Sequence, residues 1–267
     1  MKYMGSKASI AKYILPFIQE LLFINNINTY IEPFIGGANM IDKVRCNNKI
    51  GSDINKYLIA LLNHVKNGGE LPNEVSYELY QDVKYSQGTG KYEDWFTGAV
   101  CFLAGFNGRG FDGGYGKSTY ETKADGTKIL RDYFQEARRN LIEQTPLLKD
   151  IEINHGSYEQ YSDVKGALIY CDPPYANTKS YNRKIEFDHD KFWQWIRDMS
   201  KENIVLVSEE SAPDDFDIIW EQEVTRSIRA NEKSKTTEKL FIWRETNKYY
   251  KAINREEDTD ETEEYYT

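Results

Sequence analysis

The chain has 267 residues, a net charge of −9, 40% hydrophobic and 14% aromatic residues. That composition fills a core and excludes wholesale disorder, and the length suits one large domain or a core with an inserted module. Seven of the acids fall in the last dozen residues, from Glu256 to Glu264, so the body is near neutral and the bulk charge says little about a polyanionic partner.

Cys46, Cys101 and Cys171 lie far apart, as do His64, His155 and His189. No disulfide framework and no metal-ligand spacing follow from them, which predicts a reducing, cytoplasmic setting and no metal. The longest early apolar stretch, Ile14 to Ile24, is broken by Pro16, Gln19 and Glu20 and is too short to span a bilayer, so no membrane is expected. The 20 Tyr suit core edges and also stacking on bases.

In chain order, Ile10, Tyr13, Ile14, Phe17, Ile18, Leu21 and Leu22 have the three-and-four spacing of an amphipathic helix. Thr29 to Glu32 reads as a strand, and Gly36-Gly37 in Pro33-Phe34-Ile35-Gly36-Gly37 is expected to open a helix. Lys49 to Ser52 reads as a second strand ending at Asp53. Strand, glycine turn, helix, strand and acid is the layout of a nucleotide-binding β-α-β unit, with the acid on a ribose. From about Tyr57 to Leu148 the chain reads as helical and then loop-rich, with six glycines between Gly105 and Gly116 marking a functional loop. Ala167 to Cys171 and Asn203 to Ser208 are apolar runs fitting buried strands, with a helix carrying Phe192, Trp193, Trp195, Ile196 and Met199 between them. Ile218 to Trp243 reads as strands joined by a basic loop, and 254–267 as a disordered acidic tail.

The chemistry concentrates in Asp172-Pro173-Pro174-Tyr175, directly after a buried strand, where open α/β sheets put their ligands. The consecutive prolines fix the direction of the carbonyls before them. A planar amine can then give one N–H to the Asp172 carboxylate and one to the Pro173 carbonyl, with Tyr175 stacked on its ring. An exocyclic amine is a poor nucleophile because its lone pair is conjugated, so orientation is what its chemistry requires.

At these residues the sequence resembles the amino-group DNA methyltransferases, and among them the Dam-type adenine-N6 enzymes. The resemblance covers most of residues 1 to 245 and rests on Tyr3-Met4-Gly5-Ser6-Lys7, Glu32-Pro33-Phe34-Ile35-Gly36-Gly37, Ser52-Asp53-Ile54-Asn55, Phe106-Asn107-Gly108-Arg109-Gly110-Phe111 and Asp172-Pro173-Pro174-Tyr175. It implies an α/β fold with a Rossmann-like class I methyltransferase sheet: a catalytic domain at 1–56 and 150–250, and a mainly helical and loop target-recognition insert at 57–149. It implies S-adenosylmethionine as cofactor, held by Tyr3, Met4, Gly5 and Lys7, by Phe34, Ile35, Gly36 and Gly37, by Asp53 on the ribose, by Ile54, Ser157 and Tyr158 on the adenine, and by Asp172. Asp172, Pro173, Pro174 and Tyr175 would be catalytic, acting on an adenine flipped from double-stranded DNA, since a paired amine cannot reach a recessed cage.

DNA contacts are expected from Asn107 and Arg109 on base edges or phosphate, from Phe111 or Tyr115 as a wedge, and from Lys233 and Lys235 in the basic stretch after Arg226. A monomer is expected, and a cognate restriction endonuclease is a partner the sequence leaves open. The sequence departs from the family pattern in two places: Asn39 lies near where a third glycine is common, and Ser208-Glu209-Glu210 replaces a frequent Ser-Asn. Cytosine N4, RNA adenine or a protein amide as acceptor, and a catalytically dead DNA-binding module, are the alternatives; an intact Asp172 and glycine turn favour the enzyme.

Overall fold

The computed structural model describes residues 1–123, 125–174, 187–229 and 232–246, with side chains left out at 225–229 and 232–235. In chain order the elements are α1 (Ala11–Ile24), β1 (Thr29–Glu32), β2 (Asn48–Asp53), α2 (Lys56–Lys66), α3 (Tyr77–Tyr85), α4 (Asp94–Ala104), β3 (Thr119–Thr122), β4 (Lys128–Arg131), α5 (Tyr133–Leu148), β5 (Ile151–His155), β6 (Leu168–Cys171), α6 (His189–Ser200), β7 (Ile204–Glu209), β8 (Phe216–Arg229) and β9 (Glu232–Trp243). They fall into two compact units, Met1–Leu15 with Glu32–Gln160, and Pro16–Ile31 with Tyr161–Thr267.

In the first unit β2 and β5 pair in parallel from Lys49↔Ile151 to Asp53↔His155, so their carboxyl ends are level. Asn55 starts α2 directly after β2, its side chain accepting from the Tyr57 and Leu58 amides at 3.2 Å. Leu58, Ile59, Leu61, Leu62 and Val65 form the buried stripe of α2. The centre of this unit is α4, buried at every residue from Thr97 to Ala104. Gly98 lets it approach α2, because a Cβ there would sit 2.1 Å from the Tyr57 carbonyl oxygen. Asp132 caps α5 through the Gln135 amide at 3.1 Å.

The second unit orders its strands β1-β6-β7-β9-β8. β1, β6 and β7 are parallel, while β9 and β8 return antiparallel. Every residue of β6 and β7 is buried, which is why Leu168–Cys171 and the first four residues of β7 are continuous apolar runs. Asp188 caps α6 through the Lys191 amide at 2.9 Å, and Phe192, Trp193, Trp195, Ile196 and Met199 make its buried face. β9 meets β7 between Leu206↔Ile242 and Glu209↔Lys239, whereas its pairing with β8 runs on to Arg229↔Glu232. Among the described residues the outer part of that hairpin is a two-stranded ribbon.

The α/β, Rossmann-like class is the one expected, with parallel strands and flanking helices in each unit. Two local expectations are corrected. No α-helix follows the glycine turn: Gly36 and Ala38 take left-handed φ of 48° and 56°, which breaks helical continuity, and only a short 3-10 turn at Ile41–Lys43 precedes β2. The stretch read as loop after Gly116 contains the antiparallel hairpin β3–β4. Its residues are exposed up to a half-buried Arg131, so it shows no buried apolar alternation to read.

Candidate active site and nucleic-acid interface

The carboxyl end of β2 organises the glycine turn. The Asp53 carboxylate accepts the Gly36 amide at 3.2 Å on one oxygen and the Asn55 amide at 2.9 Å on the other, while the Ile35 amide donates to the Ser52 carbonyl at 2.8 Å. Burial pushes the Asp53 carboxyl up from its ordinary value, opposed by the Asn55 and Gly36 amides and the charge of His155. Each carboxylate oxygen keeps a lone pair, so Asp53 can brace the turn and still take hydroxyl donors. Ile54 follows, 59% exposed, an apolar face at a strand's carboxyl end. Directly after β5 the Gly156 amide donates to the Asp53 carbonyl at 3.1 Å, which sets Ser157 and Tyr158 beside this corner. Tyr158 is buried, with its ring 5.7 Å from that of half-buried Phe34. The Ser157 hydroxyl lies 3.3 Å from the Glu159 carboxylate.

The N-terminal segment closes over the same turn. A Cβ on Gly36 would meet the Tyr3 ring at 3.0 Å, and one on Gly37 would meet the Tyr3 Cβ at 2.9 Å, so Tyr3 lies against both glycines. Gly5 has φ 78° and nothing within 4 Å of its missing Cβ, an open position beside the turn. Lys7 is buried. Asn39 proves to be a fastener, its amide nitrogen 2.9 Å from the Met1 carbonyl and 2.8 Å from the Ser6 hydroxyl. From α5 the Gln144 amide reaches the Gly37 and Ala38 carbonyls at 3.1 and 3.0 Å, and its carbonyl accepts the Met1 amino group. Sequence reading missed both residues. Asn39 carried a weak signal as a departure from the glycine pattern, and Gln144 carried none.

The glycine-rich segment folds into two short 3-10 turns, Phe106–Gly108 and Gly110–Gly113, closed by the Phe106 amide on the Gly114 carbonyl at 2.8 Å. Asn107 and Arg109 are exposed and Phe106 is 43% exposed. Phe111 is 9% exposed and packs on Tyr80 with rings 5.3 Å apart. The Tyr115 hydroxyl donates to the Val75 carbonyl at 2.7 Å. Of the two rings expected to wedge into DNA, Phe111 is thus turned into the fold and Tyr115 is half-buried with its hydroxyl engaged, and Phe106 is the exposed ring of this loop. The β3–β4 hairpin adds Tyr120, 73% exposed, flanked in sequence by Lys117 and Lys123.

In the second unit Asp172 directly follows the fully buried β6, half-buried itself, with Pro173 buried and Pro174 exposed. Tyr175 lies outside the described residues, as do the side chains of Lys233 and Lys235 and the acidic tail. Among the described residues no group of three or more His, Cys, Asp and Glu is arranged to hold a metal ion, and no helix is long and apolar enough to cross a membrane.

Residues 3–94 match the family model described as D12 class N6 adenine-specific DNA methyltransferase, the family expected from the motifs. The match takes in the N-terminal segment, the glycine turn and Asp53, and ends before Asp172. The chain is 26% identical over 205 residues to the type II methyltransferase M.FokI of Planomicrobium okeanokoites, covering 68% of this chain and 30% of that protein. It is 25% identical over 249 residues to the type II methyltransferase M.MjaIII of Methanocaldococcus jannaschii, covering 81% of this chain and 85% of that one. It therefore spans less than a third of the first of these relatives and most of the second.

Proposed function

We propose that this chain is a D12 class N6 adenine-specific DNA methyltransferase, which transfers a methyl group from S-adenosylmethionine to the 6-amino nitrogen of an adenine flipped out of double-stranded DNA. The observation that carries the reading is Asp172-Pro173-Pro174-Tyr175 at the carboxyl end of β6, in a chain whose residues 3–94 match that family. A side-chain-free Gly36-Gly37 turn, the open ground at Gly5, the braced Asp53 carboxylate and exposed Ile54 fit an adenosyl group with an amino-acid tail. Tyr3, Met4, Gly5, Lys7, Phe34, Ile35, Gly36 and Gly37 would hold the methionine part, Asp53 the ribose, and Ile54, Ser157 and Tyr158 the adenine. When bound, the cofactor supplies a methyl group on a positively charged sulfur, open to direct displacement.

The protein's part is alignment. Asp172 and the Pro173 carbonyl accept the two N–H bonds of the target amine, so its lone pair faces out of the ring plane, and Asp172 stands ready for the proton the methylated amine must lose. Tyr175 stacks on the flipped base. The base reaches this cage only when extruded, and Arg109, Asn107 and Phe106 are the exposed groups suited to the duplex. We extend to this chain a monomeric state, and, from the type II designation of its relatives, a cognate restriction endonuclease as the partner to seek.

The test is incubation of the purified chain with the cofactor and duplex DNA, followed by nucleoside analysis. N6-methyladenine from the parent and none from a folded Asp172→Ala variant is the expected result. N4-methylcytosine would shift the acceptor, and normal turnover by Asp172→Ala would sink the catalytic assignment.

A further inference from the structure

We infer that His155 is a positioning residue for the nucleoside end of the cofactor, its imidazole fixing the backbone that presents Asp53 and Ile54; this deepens the methyl-transfer reading and rests on its use of S-adenosylmethionine. β2 and β5 run in parallel and end level, with Asp53 against His155 in the last rung of their ladder. The His155 Nε2 lies 3.1 Å from the Ile54 carbonyl oxygen. A carbonyl only accepts, so this nitrogen carries the proton and donates it. The carbonyl one residue earlier, that of Asp53, takes the Gly156 amide at 3.1 Å. Two successive carbonyls at the end of β2 are thus held by two successive residues at the end of β5.

Ile54 depends on this support because it belongs neither to the strand nor to the helix: β2 stops at Asp53 and α2 starts at Lys56. The amide that a longer helix would turn back onto the Ile54 carbonyl is that of Leu58, and the Asn55 side chain takes it at 3.2 Å. A side chain from the neighbouring strand meets the carbonyl instead. On one side of this peptide stands the Asp53 carboxylate, which accepts the Gly36 and Asn55 amides at 3.2 and 2.9 Å. On the other stands the Ile54 side chain, 59% exposed. With the Ile54 carbonyl fixed, the carboxylate and the apolar face keep one spacing before a ligand arrives, and little ordering is left for binding to impose. His155 is itself exposed, so its ring adds little to the core. The gain therefore falls on cofactor affinity rather than on folding.

The experiment is calorimetric titration of the full chain with S-adenosylmethionine, with the thermal midpoint of each unliganded protein and methyl transfer to duplex DNA by the parent measured alongside. His155→Ala should raise the cofactor Kd about threefold or more, as loss of one hydrogen bond does, and leave the midpoint nearly unchanged. His155→Phe keeps a ring without an N–H and should bind as weakly as Ala. His155→Gln carries an N–H as far along its side chain as Nε2 and should bring the Kd back to within about twofold of the parent. A smaller rise in Kd for His155→Ala overturns the proposal and leaves the methyl-transfer reading standing. So does a loss of affinity that tracks a lowered midpoint, a His155→Phe as tight as the parent, or a folded His155→Gln as weak as Ala. A parent that binds the cofactor and methylates no DNA sinks the acceptor reading alone, and the Kd values still decide the role of His155. A parent that binds no S-adenosylmethionine overturns both.

Discussion

The Met4 backbone amide donates to the Gly108 carbonyl at 3.2 Å, which ties the segment lying on the glycine turn to the loop that presents Arg109. The Arg109 Nε lies 3.3 Å from the Met4 sulfur. A Cβ on Gly108 would come within 2.9 Å of the Lys2 carbonyl group and the Tyr3 nitrogen. Tyr3 in turn rests on Gly36 and Gly37. The glycine-rich loop therefore meets the N-terminal segment backbone to backbone, and the Tyr3 side chain of that segment packs directly on the glycine turn, so a shift at one is felt at the others.

That packing predicts coupling between cofactor and DNA. Gly108→Ala, strained by a φ of 70° as well as crowded, should weaken both S-adenosylmethionine and DNA binding, although the residue touches neither. In the parent, DNA should change cofactor affinity by a factor of about 5 to 150, the usual span of coupling energies, and the effect must be reciprocal. Calorimetry with and without DNA reads this. A cofactor Kd indifferent both to DNA and to Gly108→Ala would show that the contact transmits nothing.

Asp53 should make cofactor binding acid-sensitive. Its burial raises the carboxyl above the ordinary 3.8, and the carboxylate form is the one that accepts the amides and would accept the proposed ribose hydroxyls. Affinity is present above the raised value and falls as pH drops through it, at a higher pH than an ordinary carboxylate would give. Asp53→Asn should raise the Kd tenfold or more at neutral pH, a charge-assisted hydrogen bond being worth about 1.5 to 3 kcal/mol. Its own profile should be flat in that range. An identical pH profile in parent and variant would remove Asp53 from the ribose.

Stability at acid pH should depend on Asp215. Its carboxylate takes Arg197 at 2.6 and 2.8 Å and the Trp243 indole N–H at 3.1 Å, and the Arg197 hydrogen bonds chiefly hold its pKa down to about 2. A depressed carboxylate stabilises the fold above its unfolded value near 3.8 and loses that contribution as pH falls towards 2. The pair is partly exposed, so screening limits it to about 1 kcal/mol. Arg197→Met should lower the thermal midpoint by a few degrees at pH 7 and by little near pH 2. An equal loss at both pH values would point to packing rather than charge.

What the sequence revealed and what it hid divide along contact distance. β1, β2, β6, β7 and α6 are legible because burial patterns are local, and Asp172 is legible because its Asp-Pro-Pro-Tyr run directly follows one such strand. The support of the glycine turn is not, since Gln144 lies more than a hundred residues from Gly37 and nothing in α5's amphipathic pattern marks one polar residue on its buried face as a ligand for distant carbonyls. The direction of Phe111 was hidden for a related reason. Glycines signal a special backbone without saying which ring the backbone turns inwards, and Tyr80, its partner, sits on another helix.

The last prediction concerns which groups meet the duplex. With Phe111 buried and Tyr115 half-buried, its hydroxyl on the Val75 carbonyl, Phe106, Asn107 and Arg109 are the exposed loop residues proposed to touch DNA, and Tyr120 at the exposed β3–β4 hairpin is a second ring that could stack. Phe111→Ala should therefore destabilise the fold as a core truncation does, by about 3 to 5 kcal/mol for a buried Phe, and lower the thermal midpoint accordingly. Phe106→Ala and Tyr120→Ala should leave stability nearly unchanged and weaken DNA binding. Arg109→Ala should relax site preference if it reads a guanine edge, or weaken all sites alike if it grips phosphate. Neutralising Lys233 and Lys235 should make binding less salt-dependent, by about one unit of slope for each phosphate that no longer has a lysine against it. The measurement is methylation of a library of sites at several salt concentrations by each variant. Should Phe106→Ala and Arg109→Ala keep the parent's rate and preference while Tyr120→Ala and the lysine changes do not, recognition belongs to the two hairpins, and the glycine-rich loop serves only to hold the N-terminal segment against the cofactor turn.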